Sequence, residues 1–447
     1  MKIMRIIVLS VPVLAFFASC TDSSTKPSGH AQSIQDVEIP AGFDWDFTSE
    51  TEVTITTVDA AGIPVQGKEI SLYKTENNLA FTAVTNEIGK VNIKITLPES
   101  SSSVFVECDG ERISVPVTGN EVNKTLVVNG GSRDTRANGT LYVPGTNSVI
   151  TLMYEDNWPN KGDYDFNDMV VETWGKLRYE SNYLRYVELQ ATVIASGATY
   201  NNGFRVMFES DAAPNTSLGD VITFSAYDAD GNQLPMTSEE VHAAYGTDVI
   251  WDTFNHQLFF KYFDHVYDVM PLPFTFLALN TFNEAPWTDP VSIKIRIDYQ
   301  QLISFNPVSP SLNLNSFNPY VTLDGIPGYE IHLPGDIYTS NFDQFGLFGT
   351  GDDNTPLSGL SDPLYIDTAF KTVDGLSWGL KLEGTLEYPR EKADVILAYP
   401  ELESYFAGTQ GIFDNWWQPH PDDDYSEGYI LDRGDMTVAD QNAPVGE

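Results

Sequence analysis

The chain turns on Tyr154-Glu-Asp-Asn-Trp-Pro-Asn-Lys-Gly-Asp-Tyr-Asp-Phe-Asn-Asp-Met-Val-Val171. Apolar residues lead in over 149–154 and out over 169–171, the pattern of two strands joined by a long connection. Between them stand Glu155, Asp156, Asp163, Asp165 and Asp168, with Asn167, and only Lys161 opposes them. Two like charges about 5 Å apart repel by roughly 3 kcal/mol at an effective dielectric near 20. A hard cation removes that cost: calcium accepts carboxylate, amide, carbonyl and water oxygens in flexible geometry. The spacing Asp163-x-Asp165-x-Asn167 puts alternate side chains on one side of a turn, as in the first half of an EF-hand loop. It is not an EF-hand. Asp168 stands where that loop needs its turn glycine, and Trp174 where it needs its bidentate glutamate. We expect a structural calcium loop between two strands, with Glu155, Asp156, Asp163, Asp165, Asn167 and Asp168 as candidate ligands. The competing reading is an acidic turn held by side-chain-to-backbone hydrogen bonds.

Period-two alternation runs outward from this loop in both directions. Upstream, Val53 and Ile55 alternate with polar neighbours, as do Val91, Ile93, Ile95 and Leu97. Asp109-Gly110 reads as a hairpin turn joining 104–108 to 113–117. Downstream, Val187, Leu189, Ala191 and Val193 face one way, and Val291, Ile293, Ile295 and Ile297 repeat the pattern. Asp228-Ala-Asp-Gly-Asn232 is most simply another hairpin turn. Strands with one apolar face must pack in pairs of sheets. One helix is expected to start at Tyr388-Pro-Arg-Glu-Lys, with Glu391 in its first turn and Pro400 stopping it. The fold class is therefore all-β: a small sandwich over residues 40–129, a linker over 130–139, then a larger jelly-roll-like sandwich with a short C-terminal helix over 140–447. Within the first, Gly62-Ile-Pro-Val-Gln-Gly67, Ser71-Leu-Tyr73 and Thr85-Asn-Glu-Ile-Gly89 resemble the immunoglobulin- or transthyretin-like modules of surface proteins.

The first twenty residues carry Lys2 and Arg5, an apolar run from Ile6 to Phe17, then small Ala18 and Ser19 before Cys20. That order reads as a lipoprotein signal peptide over 1–20, with Cys20 the lipidated residue and 21–39 a flexible tether. It implies an outer-membrane anchor, on the cell surface or the periplasmic face. Acylation would leave Cys108 as the single remaining cysteine, so no internal disulfide is expected. A net charge of -39 argues against nucleic acid as a partner. At 42% hydrophobic residues over 447 positions, the chain can bury a sizeable core.

Further motifs follow the acidic loop in order: Tyr200-Asn-Asn-Gly-Phe204, Asn318-Pro-Tyr-Val321, Glu330-Ile-His-Leu-Pro-Gly335, Leu347-Phe-Gly-Thr-Gly-Asp-Asp353, Leu376-Ser-Trp-Gly-Leu380, Tyr388-Pro-x-Glu391 and Ala398-Tyr-Pro400. With the loop, they make residues 137–440 resemble LruC-domain proteins, which are secreted or lipid-anchored bacterial surface proteins. Ser377, where that family tends to have proline, and Asp336-Ile337 depart from its pattern. The resemblance implies an outer-membrane lipoprotein and carries over no catalytic residue. The acidic loop is also similar to shorter Asp-x-Asp-x-Asn-Asp loops of secreted sandwich domains thought to hold calcium. Zinc-binding histidine spacing, a Gly-x-Ser-x-Gly elbow and a phosphate-cradling glycine loop are all absent from the sequence. The expected function is thus a non-enzymatic, lipid-anchored envelope protein for adhesion or surface assembly, with a surface protein or glycan as possible partner. The alternative is a carbohydrate-binding lipoprotein of a glycan-uptake system, with Trp416 and Trp417 as stacking candidates because polar residues follow them.

Overall fold

In the first sandwich, alternation produces seven strands: β1 (Thr48–Val58), β2 (Glu69–Thr75), β3 (Asn78–Val84), β4 (Lys90–Pro98), β5 (Ser103–Cys108), β6 (Glu111–Pro116) and β7 (Glu121–Val127). In β4, Val91, Ile93, Ile95 and Leu97 are buried while the residues between them stay half-exposed. Side chains that alternate this way leave one apolar face per strand, and that face needs a partner layer. The layers are β4-β1-β7, with β1 antiparallel to β4 and parallel to β7, and the run β3-β2-β5-β6. Val53, Ile55 and Val122 of one layer share a core with Ile70, Leu72, Val104 and Val106 of the other. Asp109 and Gly110 both take positive φ, 54° and 78°, which matches the tight turn expected between β5 and β6.

The computed structural model describes residues 31–43, 45–130, 138–197, 199–252, 255–272, 278–282, 287–304, 312, 314, 316–339, 346–355, 369–408, 416–417 and 428–431. Cys20, the start of the expected tether and most of the expected 130–139 linker lie outside the described residues.

The second half adds β8 (Gly139–Val143), β9 (Ile150–Tyr154), β10 (Met169–Glu180), β11 (Tyr183–Ala195), β12 (Gly203–Glu209), β13 (Val221–Tyr227), α1 (Ser238–Tyr245), β14 (Asp248–Asp252), β15 (Gln257–Phe263), α2 (Val266–Val269), β16 (Ser292–Asp298), β17 (Asn318–Thr322), β18 (Glu330–His332), β19 (Gly379–Glu383), α3 (Val395–Ala398) and α4 (Glu401–Phe406). Strands β14-β15-β12-β17-β18 form one sheet. Phe204, Val206, Phe260 and Val321 from it share a core with Val187, Leu189, Ile293 and Ile295 of β11 and β16. The all-β sandwich architecture read from the sequence is the fold.

Several features differ from expectation. The sheet of the first sandwich continues into the second, because β3 pairs antiparallel with β8 through Phe81↔Leu141. The resulting order is β13-β16-β11-β10-β8-β3-β2-β5-β6, with β9 attached to β10 and β19 to β9. Residues from Ala31 onward form one compact unit. Next, the stretch 31–39, expected as part of a flexible tether, is docked. Asp394 accepts Ser33 Oγ at 2.6 Å and the Ile34 amide at 3.0 Å, and Ile34 is fully buried. Last, no helix starts at Tyr388. Lys392 takes φ 63°, and α3 begins only at Val395, where the Asp394 side chain accepts the Ile396 amide. Helix α1 was not expected, although Thr237 and Glu240 form a reciprocal capping box at its start.

A buried ion pair crosses between the halves. Lys74 of β2 donates to Glu383 of β19 at 2.7 Å, and Asn78 Nδ2 reaches the same carboxylate at 3.5 Å. Burial pushes the Lys74 amine down and the Glu383 carboxyl up. Removing one partner strands the other charge, so Lys74→Ala is expected to cost about 3–5 kcal/mol in urea unfolding. Lys74→Met combined with Glu383→Leu is expected to cost less than the single change. A double variant worse than Lys74→Ala would contradict this account.

Candidate metal centre

Strands β9 and β10 pair up to Tyr154↔Met169, so residues 155–168 close the end of the sandwich at that pair. The loop is pinned from outside. Glu155 N donates to Trp378 O at 2.9 Å, Trp378 Nε1 to Asn160 O at 2.8 Å, and Trp158 Nε1 to Asp353 Oδ2 at 2.9 Å. Trp158 sits among Phe348, Phe370 and Tyr329. Within the loop, Tyr164 and Phe166 take left-handed φ of 57° and 52°. Such backbone costs a non-glycine residue about 1–3 kcal/mol. Their rings offset it in a second core, where Phe166 lies 5.7 Å from Trp45 and 5.9 Å from Tyr164. With residues 164 and 166 committed inward, the alternate residues Asp163 and Asp165 are turned toward Glu155.

One carboxylate oxygen from each of Glu155, Asp163 and Asp165 lies within 4.8 Å of the other two. Calcium–oxygen distances of about 2.3–2.6 Å allow ligands on opposite sides of one ion to stand about 4.6–5.2 Å apart, so the three fit around a single ion. Glu155 is fully buried; its Oε1 accepts the Phe166 amide at 2.7 Å, and its Oε2 has no protein donor. Oε2 rests against Gly162, where an added Cβ would come within 1.8 Å of it. Asp165 is buried and accepts the amides of Lys392 at 2.6 Å and Asn167 at 3.2 Å. Asp163 is exposed and forms the outer side.

The other candidates separate in role. Asp168 Oδ2 accepts the Asp156 amide at 2.8 Å, and Asp156 Oδ2 accepts Asn202 Nδ2 at 2.7 Å. These two brace the loop against β10 and the 202–203 turn. Asn167 Nδ2 donates to Pro389 O at 3.0 Å, leaving its buried Oδ1 without a protein donor. Glu391, expected in a helix, instead stands beside the loop, its amide on Thr281 O at 2.9 Å and its Oε2 accepting Thr281 Oγ1 at 3.2 Å. Its one sequence signal was the Tyr388-Pro-x-Glu391 motif.

Trp416 and Trp417 are not the exposed stacking platform expected from the polar residues after them. They are 1% and 9% exposed. Phe47 and Tyr399 lie 5.1 Å and 5.4 Å from Trp416, because large rings gain more from burial in the second core than from water.

The electrostatics are one-sided. Burial, then Asp168, Asp165 and Asp163, holds the Glu155 carboxyl well above its usual range. Burial and then Asp163 do the same to Asp165. Asp156 is pushed up to about 9 by burial and Asp168, Glu391 to about 7 by burial, Asp168 and Asp163, and Asp168 to about 6 by burial. Lys161 turns away to Asp374 at 3.0 Å. Among the described residues no Lys or Arg forms an ion pair with Glu155, Asp156, Asp163, Asp165 or Asp168. The arrangement offers the oxygen donors that a hard divalent cation takes.

A family model described as a domain of unknown function, DUF4842, matches residues 182–417, a span that contains Glu391 but not the acidic loop. No curated protein matches the chain. Among solved structures, a Bacteroides ovatus protein inferred to be a lipoprotein is similar at 13% identity and a TM-score of 0.49, covering 79% of this chain and 98% of that one. BcpA, the major pilin subunit of Bacillus cereus, is similar at 9% identity and a TM-score of 0.15, covering 62% of this chain and 64% of that one. The S. aureus collagen adhesin is similar at 7% identity and a TM-score of 0.18, over 68% and 89%. Likenesses this distant say nothing of function.

A carboxyl whose folded pKa exceeds its unfolded value favours folding below the unfolded value, and that contribution is lost as pH rises through the folded one. For Asp168, Glu391 and Asp156 the window opens near pH 4 and closes at about 6, about 7 and about 9 in turn. In chelator, the melting temperature is expected to fall between about pH 5 and about pH 8. A melting temperature that climbs across this range removes the electrostatic account.

Proposed function

The chain belongs to the DUF4842 family of domains of unknown function, and from that premise we propose that it is a non-enzymatic, lipid-anchored envelope protein with a calcium-clamped β-sandwich. The role is adhesion or assembly at the outer membrane, and the LruC-domain affinity of residues 137–440 belongs to the same proposal. The observation that carries the calcium reading is Glu155. Its Oε2 is fully buried and lacks a protein donor, and one of its two carboxylate oxygens lies in a cluster with Asp163 and Asp165. A buried carboxylate oxygen without a donor costs several kcal/mol unless a cation meets it or a proton neutralises it.

Glu155, Asp163 and Asp165 would hold the ion, with Asp163 and water completing the solvent side. Calcium would supply two positive charges in place of the missing Lys or Arg. The chain's own work is positional. The Phe166 amide orients Glu155, the Lys392 amide orients Asp165, and Gly162 leaves room for the carboxylate. The ion would then tie the β9–β10 connection to the segment after Pro389. This is a structural use of the metal, suited to a protein that meets calcium outside the cytoplasm.

The anchor rests on the sequence around Cys20. Among the described residues no helix is long and apolar enough to cross a membrane.

Calcium at 100 times its Kd is expected to stabilise the chain by about 2.7 kcal/mol relative to chelator, read as a rise in melting temperature. Asp165→Asn is expected to abolish most of that rise, and a wild-type melting curve indifferent to calcium sinks the reading. For the anchor, Cys20→Ala is expected to move the protein from the membrane fraction to the soluble one; unchanged fractionation argues for a different attachment.

A further inference from the structure

We infer that the centre holds a second divalent cation beside Gly197, between the amide oxygen of Asn167 and the carboxylate of Glu391. This rests on the calcium reading above and extends it to residues outside the Glu155 cluster.

The position a Cβ on Gly197 would take is 2.0 Å from Asn167 Oδ1 and 2.9 Å from Glu391 Oε2. Those oxygens therefore lie no more than 4.9 Å apart, the sum of the two distances, which suits two ligands of one calcium ion. Asn167 is fully buried, and its Nδ2 is committed to Pro389 O, so Oδ1 must face Gly197. No protein donor meets that oxygen. An amide oxygen buried without a partner is costly, and a hard cation is its natural complement. Thr281 holds Glu391 in place from behind through its hydroxyl and its carbonyl.

The two sets of oxygens line different glycines. Glu155 Oε2 abuts Gly162, whereas Asn167 Oδ1 and Glu391 Oε2 converge at Gly197. Each glycine removes the one atom that would fill its space. Charge points the same way. Glu155, Asp156, Asp163, Asp165, Asp168 and Glu391 bring six carboxyl groups together, and one divalent ion balances two. Asp168 and then Asp163 are the charges that act most on Glu391.

The test counts calcium on the full chain after removal of bound metal, by native mass spectrometry and by titration calorimetry. Wild type is expected to bind two ions. Glu391→Gln is expected to bind one and to keep the calcium-induced rise in melting temperature that Asp165→Asn loses. Thr281→Val, which withdraws only the hydroxyl behind Glu391, is expected to weaken the second binding step while leaving the first, and it serves should Glu391→Gln fold poorly. One ion in wild type, with Glu391→Gln also binding one, overturns the second site and leaves the first. No ion in wild type overturns the calcium reading itself.

Discussion

Carboxylates crowded at the β9–β10 connection repel one another, and burial denies most of them the water that would screen that repulsion. Glu155 is fully buried, and Asp156, Asp165 and Asp168 are nearly so. Such a group persists only if surrounding structure enforces it. Here the enforcement is visible in backbone amides: those of Phe166, Lys392 and Asp156 each donate to an acidic side chain of the loop. Amides orient carboxylates without neutralising them. The net charge is left for something outside the chain, and a divalent cation is the proposed answer.

Much of the molecule is arranged around that loop. Trp158 and Trp378 fix its outer turn to the segments at 353 and at β19. Tyr164 and Phe166 anchor its inner side in a core that also takes Trp45, Phe47, Leu380, Tyr405 and Trp416. That core draws on the start of the described chain and on its end. Lys381 of β19 exchanges backbone hydrogen bonds with Trp45 and Phe47, and Asp394 receives Ile34. Aromatic packing and the acidic loop are thus two faces of one element, since alternate residues of 163–167 serve each.

The strand pattern was legible because period two is a local property. Alternation over 90–98 or 291–297 says that one face is apolar whatever covers it. The hairpin at Asp109-Gly110 was equally local, because left-handed φ at two adjacent positions selects those residues. The clustering of Glu155, Asp163 and Asp165 was legible too, because like charges at that density have few explanations. Glu391 was not. A single glutamate after a proline fits a helix start as well as a place beside the acidic loop, and only the left-handed Lys392 decides against the helix. Trp416 and Trp417 were misplaced because flanking polarity does not report which side of a chain faces a core.

An all-β chain, the two strands that bracket the loop and the charge that loop must manage can all be read from the residues alone. Each follows from residues close together along the chain. The pairing of β3 with β8, which makes the two sandwiches share one sheet, comes from the folded chain. Folding alone docked residues 31–39 on Asp394 and brought Asn167 and Glu391 together at Gly197. Those contacts join residues tens to hundreds of positions apart. An apolar face or an unpaired oxygen specifies the kind of partner it needs, and the packing of the whole chain selects which residue provides it.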